Sequence, residues 1–233
     1  MAATPLILLP GLLNDARLWH HQARALHPLA EILAGDLTRD ASIGAMAERV
    51  LAVAPHRFAL AGLSMGGYVC MEIMRRSPER VVRLALVSTT ARPDTPEQSQ
   101  RRADAIALAK AGGFDKIMPT MLPNLLTQAS LGDPAITGLV KDMARAVGAD
   151  AFVRQQTAIM ARPDSRPSVA EIVCPTLIMC GAQDGLTPPD RHIEMVELIA
   201  GARLEQIPGG GHLCPLERPE AVSAALRQWL DGI

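Results

Sequence analysis

The stretch RFALAGLSMGGYVCMEIM, residues 57–74, decides the fold. Its opening residues, Arg57 to Leu63, make a short apolar run of the kind a fully buried strand of a parallel sheet shows. Beyond Ser64 the spacing becomes helical, with Tyr68, Val69, Met71 and Ile73 in the pattern. The pentapeptide Gly62 to Gly66 therefore sits where a strand passes directly into a helix. So tight a turn requires Gly62 and Gly66 to lack side chains where the backbones pass, and it holds the serine between them strained at the tip. The Ser64 hydroxyl is expected at the carboxyl edge of the sheet and at a helix N-terminus, where free N–H groups and the helix dipole favour developing negative charge. A plain turn with a serine cap would explain a bare G-x-S-x-G match. The strand before it and the helix after it favour a nucleophile.

Working outward, short apolar runs recur at Thr4 to Leu9, Ala30 to Ala34, Val82 to Val87, Thr176 to Cys180 and Arg203 to Ile207, most of them separated by helical patterns. Strand and helix in repeated alternation predict an α/β fold, a mostly parallel sheet of about six strands flanked by helices. Helices are expected over Ser42 to Ala54, after Gly66, and over Pro219 to Leu230. The alternation lapses between about Ala91 and Pro167, where amphipathic helical patterns follow one another. One of them starts at Asp133-Pro134 and can stop at Gly148. Residues 91–167 are therefore read as a helical cap inserted into a core made of residues 1–90 and 168–233.

Composition limits the function classes. The 233 residues are 48% hydrophobic and can bury one sizeable core. A net charge of −1, with 23 Lys and Arg against 24 Asp and Glu scattered along the chain, gives nucleic acid or an anionic membrane no block to bind. Cys70, Cys174, Cys180 and Cys214 lack the paired spacing of a zinc site, so neither metal nor cofactor is expected and the thiols are read as reduced, in or near the core. The opening residues, MAATPLILLPGLL, carry no positively charged leader, and Pro10-Gly11 breaks the apolar run; a cytoplasmic protein is the expectation.

A serine hydroxyl needs a base within reach to take its proton. Of six histidines, only His212 lies in a loop directly after a late strand, in Pro208-Gly-Gly-Gly-His-Leu, where the glycines let the chain carry an imidazole over the sheet edge. His27 and His192 fall in or beside helical patterns and are read as solvated. His56 precedes the elbow strand and lies at its wrong end, and His20 and His21 begin a helix behind the first loop. The base needs a carboxylate to fix its tautomer. Asp184, after the strand Thr176 to Cys180, has the required placement, with Asp94 after Val82 to Val87 as the alternative. Two backbone donors must also face the developing oxyanion. Met65 N–H supplies one; the other comes from the loop after the first strand, with Leu12 N–H the choice and Leu13 second.

With LLPGLL, GLSMGG, GAQDGLTPP and GGGHLCPLERPE on the page, the chain resembles the α/β-hydrolase superfamily over nearly its whole length, and within it the compact branch with a helical cap. That branch includes carboxylesterases, enol-lactone hydrolases, C–C bond hydrolases and cofactor-free haloperoxidases. The resemblance implies the α/β-hydrolase fold, Ser64, Asp184 and His212 as a catalytic triad in that chain order, and Leu12 and Met65 as the oxyanion hole. Two departures stand out. Pro10 replaces the histidine that usually braces the oxyanion loop, and the chain begins almost at the family's third strand, so six strands are expected where eight are usual.

The leading expectation is a serine hydrolase cleaving an ester or lactone of a small, mainly apolar substrate through an acyl-enzyme on Ser64. C–C hydrolysis or cofactor-free haloperoxidase chemistry on the same triad is the enzymatic alternative, and a non-catalytic ligand-binding module is the alternative of another class. Met118, Met121, Leu122 and Leu125 in the cap are the candidate substrate contacts, flexible side chains suited to an acyl chain. Charged acyl groups are expected to find no partner; were that wrong, Arg92, Arg154 or Arg162 would be the contacts to consider.

Overall fold

Strands form wherever the apolar runs fall. The computed structural model describes residues 4–231. Its sheet comprises β1 (Leu6–Leu9), β2 (Ile32–Ala34), β3 (Phe58–Leu63), β4 (Val81–Val87), β5 (Thr176–Gly181) and β6 (Arg203–Ile207), and every neighbouring pair is parallel in the order β2-β1-β3-β4-β5-β6. The helices, in chain order, are α1 (His20–Leu26), α2 (Ile43–Val53), α3 (Met65–Arg76), α4 (Pro96–Leu108), α5 (Ile117–Leu125), α6 (Gln128–Leu131), α7 (Pro134–Met160), α8 (Arg166–Val169), α9 (Pro189–Leu198), α10 (Cys214–Glu217) and α11 (Pro219–Asp231). Local chemistry sets several boundaries: the Ser42 hydroxyl accepts the Ala45 N–H at 3.1 Å to start α2, and Thr95 with Gln98 forms a reciprocal capping box at α4.

Both faces of the four inner strands are covered, which is why β1, β3, β4 and β5 read as nearly continuous apolar runs instead of alternating ones, while the edge strands β2 and β6 are partly exposed. Leu6, Leu8, Ala59, Ala61 and Leu63 point into one cluster with Leu26 of α1 and Val222 and Leu226 of α11. Ile7, Leu9, Phe58 and Leu60 point into the other, with Met46 and Val50 of α2, Val69 and Ile73 of α3, and Met195 of α9. Each such fully buried aliphatic side chain contributes roughly 1.5–3 kcal/mol. The long helical insertion between β4 and β5 joins the first cluster through Leu122 and Leu125 of α5 and Val140 and Met143 of α7. Cys70, Cys180 and Cys214 are buried free thiols and Cys174 is half-buried. Among the described residues no helix is long and apolar enough to cross a membrane.

The sheet order determines where a site can form. From β1 the chain moves outward to β2 and then returns to place β3 on the other side of β1. The loops after β1 and β3 consequently diverge, and the crevice between their carboxyl ends is the natural ligand position in an open parallel sheet. Gly11 to Leu13 follow β1, and Ser64 follows β3.

One local expectation holds and one is corrected. The helix from Asp133 breaks at Gly148 as expected: the residue takes φ 80° and ψ 169°, outside helical space, and a second helical stretch runs on from its far side as far as Met160. His192, read as solvated, is fully buried. Its Nε2 accepts the Thr89 N–H at 3.1 Å and its Nδ1 faces the Pro188 carbonyl oxygen at 3.3 Å, which ties α9 to the end of β4.

Only glycine occupies the backbone region of Gly148 without strain. Gly148→Ala should lower stability by about 1–3 kcal/mol in urea melts although no atom lies within 4 Å of the added methyl group. An unchanged midpoint would contradict that conformation. Burial pushes the His192 imidazole down from 6.5 to about 4, a direction the nearby Asp184 carboxylate opposes without reversing. Between those values the unfolded chain takes up a proton that the folded one refuses, so stability is lost as pH falls from 6.5 towards 4, by about 3 kcal/mol at most. His192→Gln should flatten this dependence, measured as urea midpoints between pH 7 and 4, whereas parallel slopes in the two proteins would exclude it.

Candidate active site

The passage from β3 to α3 is as crowded as the sequence demands. A Cβ at Gly62 would run into the Gly66 carbonyl, and one at Gly66 would come within 2.5 Å of the Leu9 carbonyl oxygen. Ser64 takes φ 54° and ψ −112°, a left-handed conformation that side-chain-bearing residues rarely adopt. Hydrogen bonds hold it there. Its N–H donates to the Val87 carbonyl at 2.9 Å, and its own carbonyl accepts the Gly67 N–H at 2.9 Å and the Thr89 hydroxyl at 2.8 Å.

The loops after β5 and β6 bring Asp184 and His212 together. His212 Nδ1 lies 2.9 Å from Asp184 Oδ2 and 3.1 Å from Oδ1, and both residues are buried. The remaining acceptor capacity of the carboxylate is filled by the backbone N–H groups of Leu186 and Thr187 and by the Thr187 hydroxyl, each at 2.9 Å. Burial alone would raise the Asp184 carboxyl, but the His212 charge and hydrogen bond, with those from Thr187, outweigh it and hold the group at about 2. Asp184 is thus ionised at any working pH and orients the ring through Nδ1. Asp94, the alternative acid, bonds to Arg102 and Arg162 instead. His20, His21, His27 and His56 are exposed.

The first loop treats its two candidate donors differently. Leu13 N–H donates to the side-chain oxygen of Gln155 at 3.1 Å, whereas Leu12 and Met65 N–H donate to no acceptor among the described residues. Gln155, wholly buried in α7, also donates to the Leu37 carbonyl at 3.1 Å. It supplies from the insertion a brace that Pro10 cannot give. A second clamp comes from Glu217, whose two carboxylate oxygens accept Gly211 N–H at 2.8 Å and Thr127 N–H at 2.7 Å. It joins the histidine loop to the start of α6. Losing that carboxylate would leave two buried donors unpaired, each at a cost of about 1–3 kcal/mol. Neither brace was legible in advance, because a buried Gln or Glu in a helical pattern looks like any solvated one.

Ser64, His212, Leu12 and Leu213 open on one cavity of about 190 Å³. Met121 and Leu125 lie on its wall. Met118 and Leu122 do not; they are buried in the core cluster. The expectation that a charged group would find no partner is corrected too, since Arg92, Arg102, Arg162 and Arg191 line the same cavity. Arg154 stands apart, bonded to the Thr38 carbonyl. Cys214, two residues after His212, offers no rival nucleophile, because burial pushes its thiol well up. Among the described residues no cluster of three or more His, Cys, Asp or Glu could hold a metal ion.

Two solved structures and one sequence relative illustrate what this chain is similar to. A thermophilic esterase from Thermogutta terrifontis, solved with malate bound, is 28% identical and superposes with a TM-score of 0.92 over 99% of this chain and 90% of its own. The enol-lactonase from Burkholderia xenovorans LB400 is 25% identical, with a TM-score of 0.90 over 99% and 92%. The pimeloyl-[acyl-carrier protein] methyl ester esterase of Edwardsiella ictaluri is 30% identical over 200 residues, 82% of this chain and 76% of its own. The model of the alpha/beta hydrolase family matches residues 6–225, nearly the whole chain, and the elbow, the Asp184–His212 pair and the sheet order fall within that match: the protein is an enzyme of the alpha/beta hydrolase family.

Proposed function

We propose that the protein hydrolyses an ester or lactone of a small substrate through an acyl-enzyme on Ser64. The observation that carries this reading is the buried 2.9 Å contact between His212 Nδ1 and Asp184, with His212 and Ser64 both opening on one cavity. In the first step Ser64 Oγ attacks the carbonyl carbon while His212 Nε2 takes the hydroxyl proton, and Asp184 stabilises the imidazolium. Leu12 and Met65 N–H receive the oxyanion; each such donor is typically worth roughly 10² to 10³ in rate. The tetrahedral intermediate collapses as the alkoxide leaves with the proton from His212. Water then attacks the acyl-enzyme with His212 again as base, and the acid departs.

Ser64→Ala should abolish turnover of p-nitrophenyl butyrate and labelling by a fluorophosphonate while the melting temperature stays close to the wild type. His212→Ala should cost kcat roughly a thousandfold or more, and the Ser64→Ala/His212→Ala double variant should be hardly worse than either single one, since members of a triad act as a unit. Asp184→Asn should lower kcat by roughly 10⁴, because the amide favours the wrong imidazole tautomer. A wild-type protein that neither hydrolyses esters nor takes the fluorophosphonate would be a binding module, and the reading would be lost.

A further inference from the structure

The cavity shared by Ser64 and His212 has an electrostatic imbalance that hydrolysis of a neutral ester does not require. Four arginines line it, Arg92, Arg102, Arg162 and Arg191, against one carboxylate, Asp94. Asp94 accepts from Arg102 Nε at 2.7 Å and from Arg162 Nη1 at 2.7 Å, so a single negative charge faces two guanidiniums that are 22% and 5% exposed. Arg92 gives its Nε to Glu194 at 2.8 Å, and its two terminal nitrogens have no partner among the described residues. Arg191 is the least committed. The nearest carboxylate oxygen, on Asp190, stands 3.7 Å away, beyond hydrogen-bond reach, and the side chain is one-third exposed. Arg162 Nε is buried with no hydrogen-bond partner among the described residues, and its guanidinium lies over the Tyr68 ring at 4.3 Å.

These arginines divide by what else explains them. Arg102 and Arg162 fasten the insertion through Asp94, Gln156 and the carbonyls of Ile159 and Arg92, and need no ligand to account for them. Arg191 and the outer nitrogens of Arg92 fasten nothing. A guanidinium cannot shed its proton, so donors left unpaired at the mouth of the cavity stay positively charged and attract an anion. Low-dielectric walls concentrate that field inside the cavity. Met121, Leu125, Ile159 and Leu186 supply the apolar remainder, enough to hold a short methylene chain between the serine and the charge.

We infer that the substrate carries a carboxylate on its acyl part, a few carbons from the scissile carbonyl, and that Arg191 and Arg92 receive it in front of the Arg102–Asp94–Arg162 cluster. This inference rests on Ser64 being the nucleophile. The acyl side is the one that benefits, because it stays in the cavity through both attack and deacylation and is positioned twice by the same contacts. Planar, bidentate recognition of a carboxylate is what the guanidinium fork provides best.

The test pairs esters that differ in one terminal group: the monomethyl esters of succinate, glutarate and adipate against methyl butanoate, pentanoate and hexanoate, each followed by acid release in a pH-stat. For at least one pair the half-ester should exceed its neutral partner in kcat/KM by roughly ten- to a hundredfold, the size expected of hydrogen bonds to a charged group. Added salt should erode that advantage far more than it changes turnover of the neutral ester. Arg191→Gln should cut the ratio several-fold, mainly through KM of the half-ester, and Arg191→Lys should recover part of it. Fluorophosphonate labelling of Ser64 runs alongside. A labelled enzyme that treats neutral esters as well as or better than half-esters, or whose ratio is indifferent to Arg191→Gln, overturns the carboxylate subsite and leaves the hydrolase standing. An unlabelled, inactive protein overturns the hydrolase and the subsite together.

Discussion

Among the described residues three non-glycine ones have positive φ, Leu13 at 57°, Ser64 at 54° and Ser88 at 44°, and they follow β1, β3 and β4, three adjacent strands, at one edge of the sheet. Strain of this kind costs about 1–3 kcal/mol per residue and survives only where its surroundings over-determine it. At Ser64 they do so through Val87, Gly67 and Thr89, and through glycines whose neighbours leave no room for a side chain. The tip of the elbow is therefore fixed by the sheet itself. What the protein does at that edge depends on how well the other loops are registered against it.

That registration is shared with the insertion. Gln155 reaches from α7 to the Leu13 N–H, Glu217 spans from the histidine loop to Thr127, and the Leu213 N–H donates to the Leu125 carbonyl. Two carboxyl-edge loops, those after β1 and β6, are thus tied to the same helical layer. His192 extends the tie from beneath: its ring accepts the Thr89 N–H, and the Thr89 hydroxyl in turn donates to the Ser64 carbonyl. A helical insertion that merely covered the site would need none of these bonds.

The inner strands were legible in the sequence because burial on both faces leaves nearly unbroken apolar runs, and the elbow because only glycine tolerates its crowding. Asp184 and His212 were found by their place after strands, which topology carries to one edge. The cavity wall was not legible, for two reasons. On α5 the apolar positions Met118, Met121, Leu122 and Leu125 form one broad stripe, and successive residues differ by about 100° around the axis, so Met121 turns to the cavity while Leu122 turns to the core. Arg92, Arg102, Arg162 and Arg191 come from different elements, and each alone reads as a solvated charge. The net charge of −1 averages them away.

The cluster of Asp94, Arg102 and Arg162 shows why such a wall is hard to separate from the fold. Taking three charges out of water costs several kcal/mol per ion, and apolar residues of similar volume would often hold the insertion as well or better. Removing Asp94 alone would be worse than either state, because both guanidiniums would lose their common acceptor. A wholly apolar wall would pack the insertion equally well and lose its field, leaving the serine beside a surface that selects only by shape. Stability and selectivity therefore pull the same three residues in opposite directions. The bonds of Arg102 and Arg162 to Asp94, Gln156 and the Ile159 and Arg92 carbonyls explain those ions as fastenings of the insertion, so a charge free to act inside the cavity is found on the uncommitted face of Arg191 in front of them.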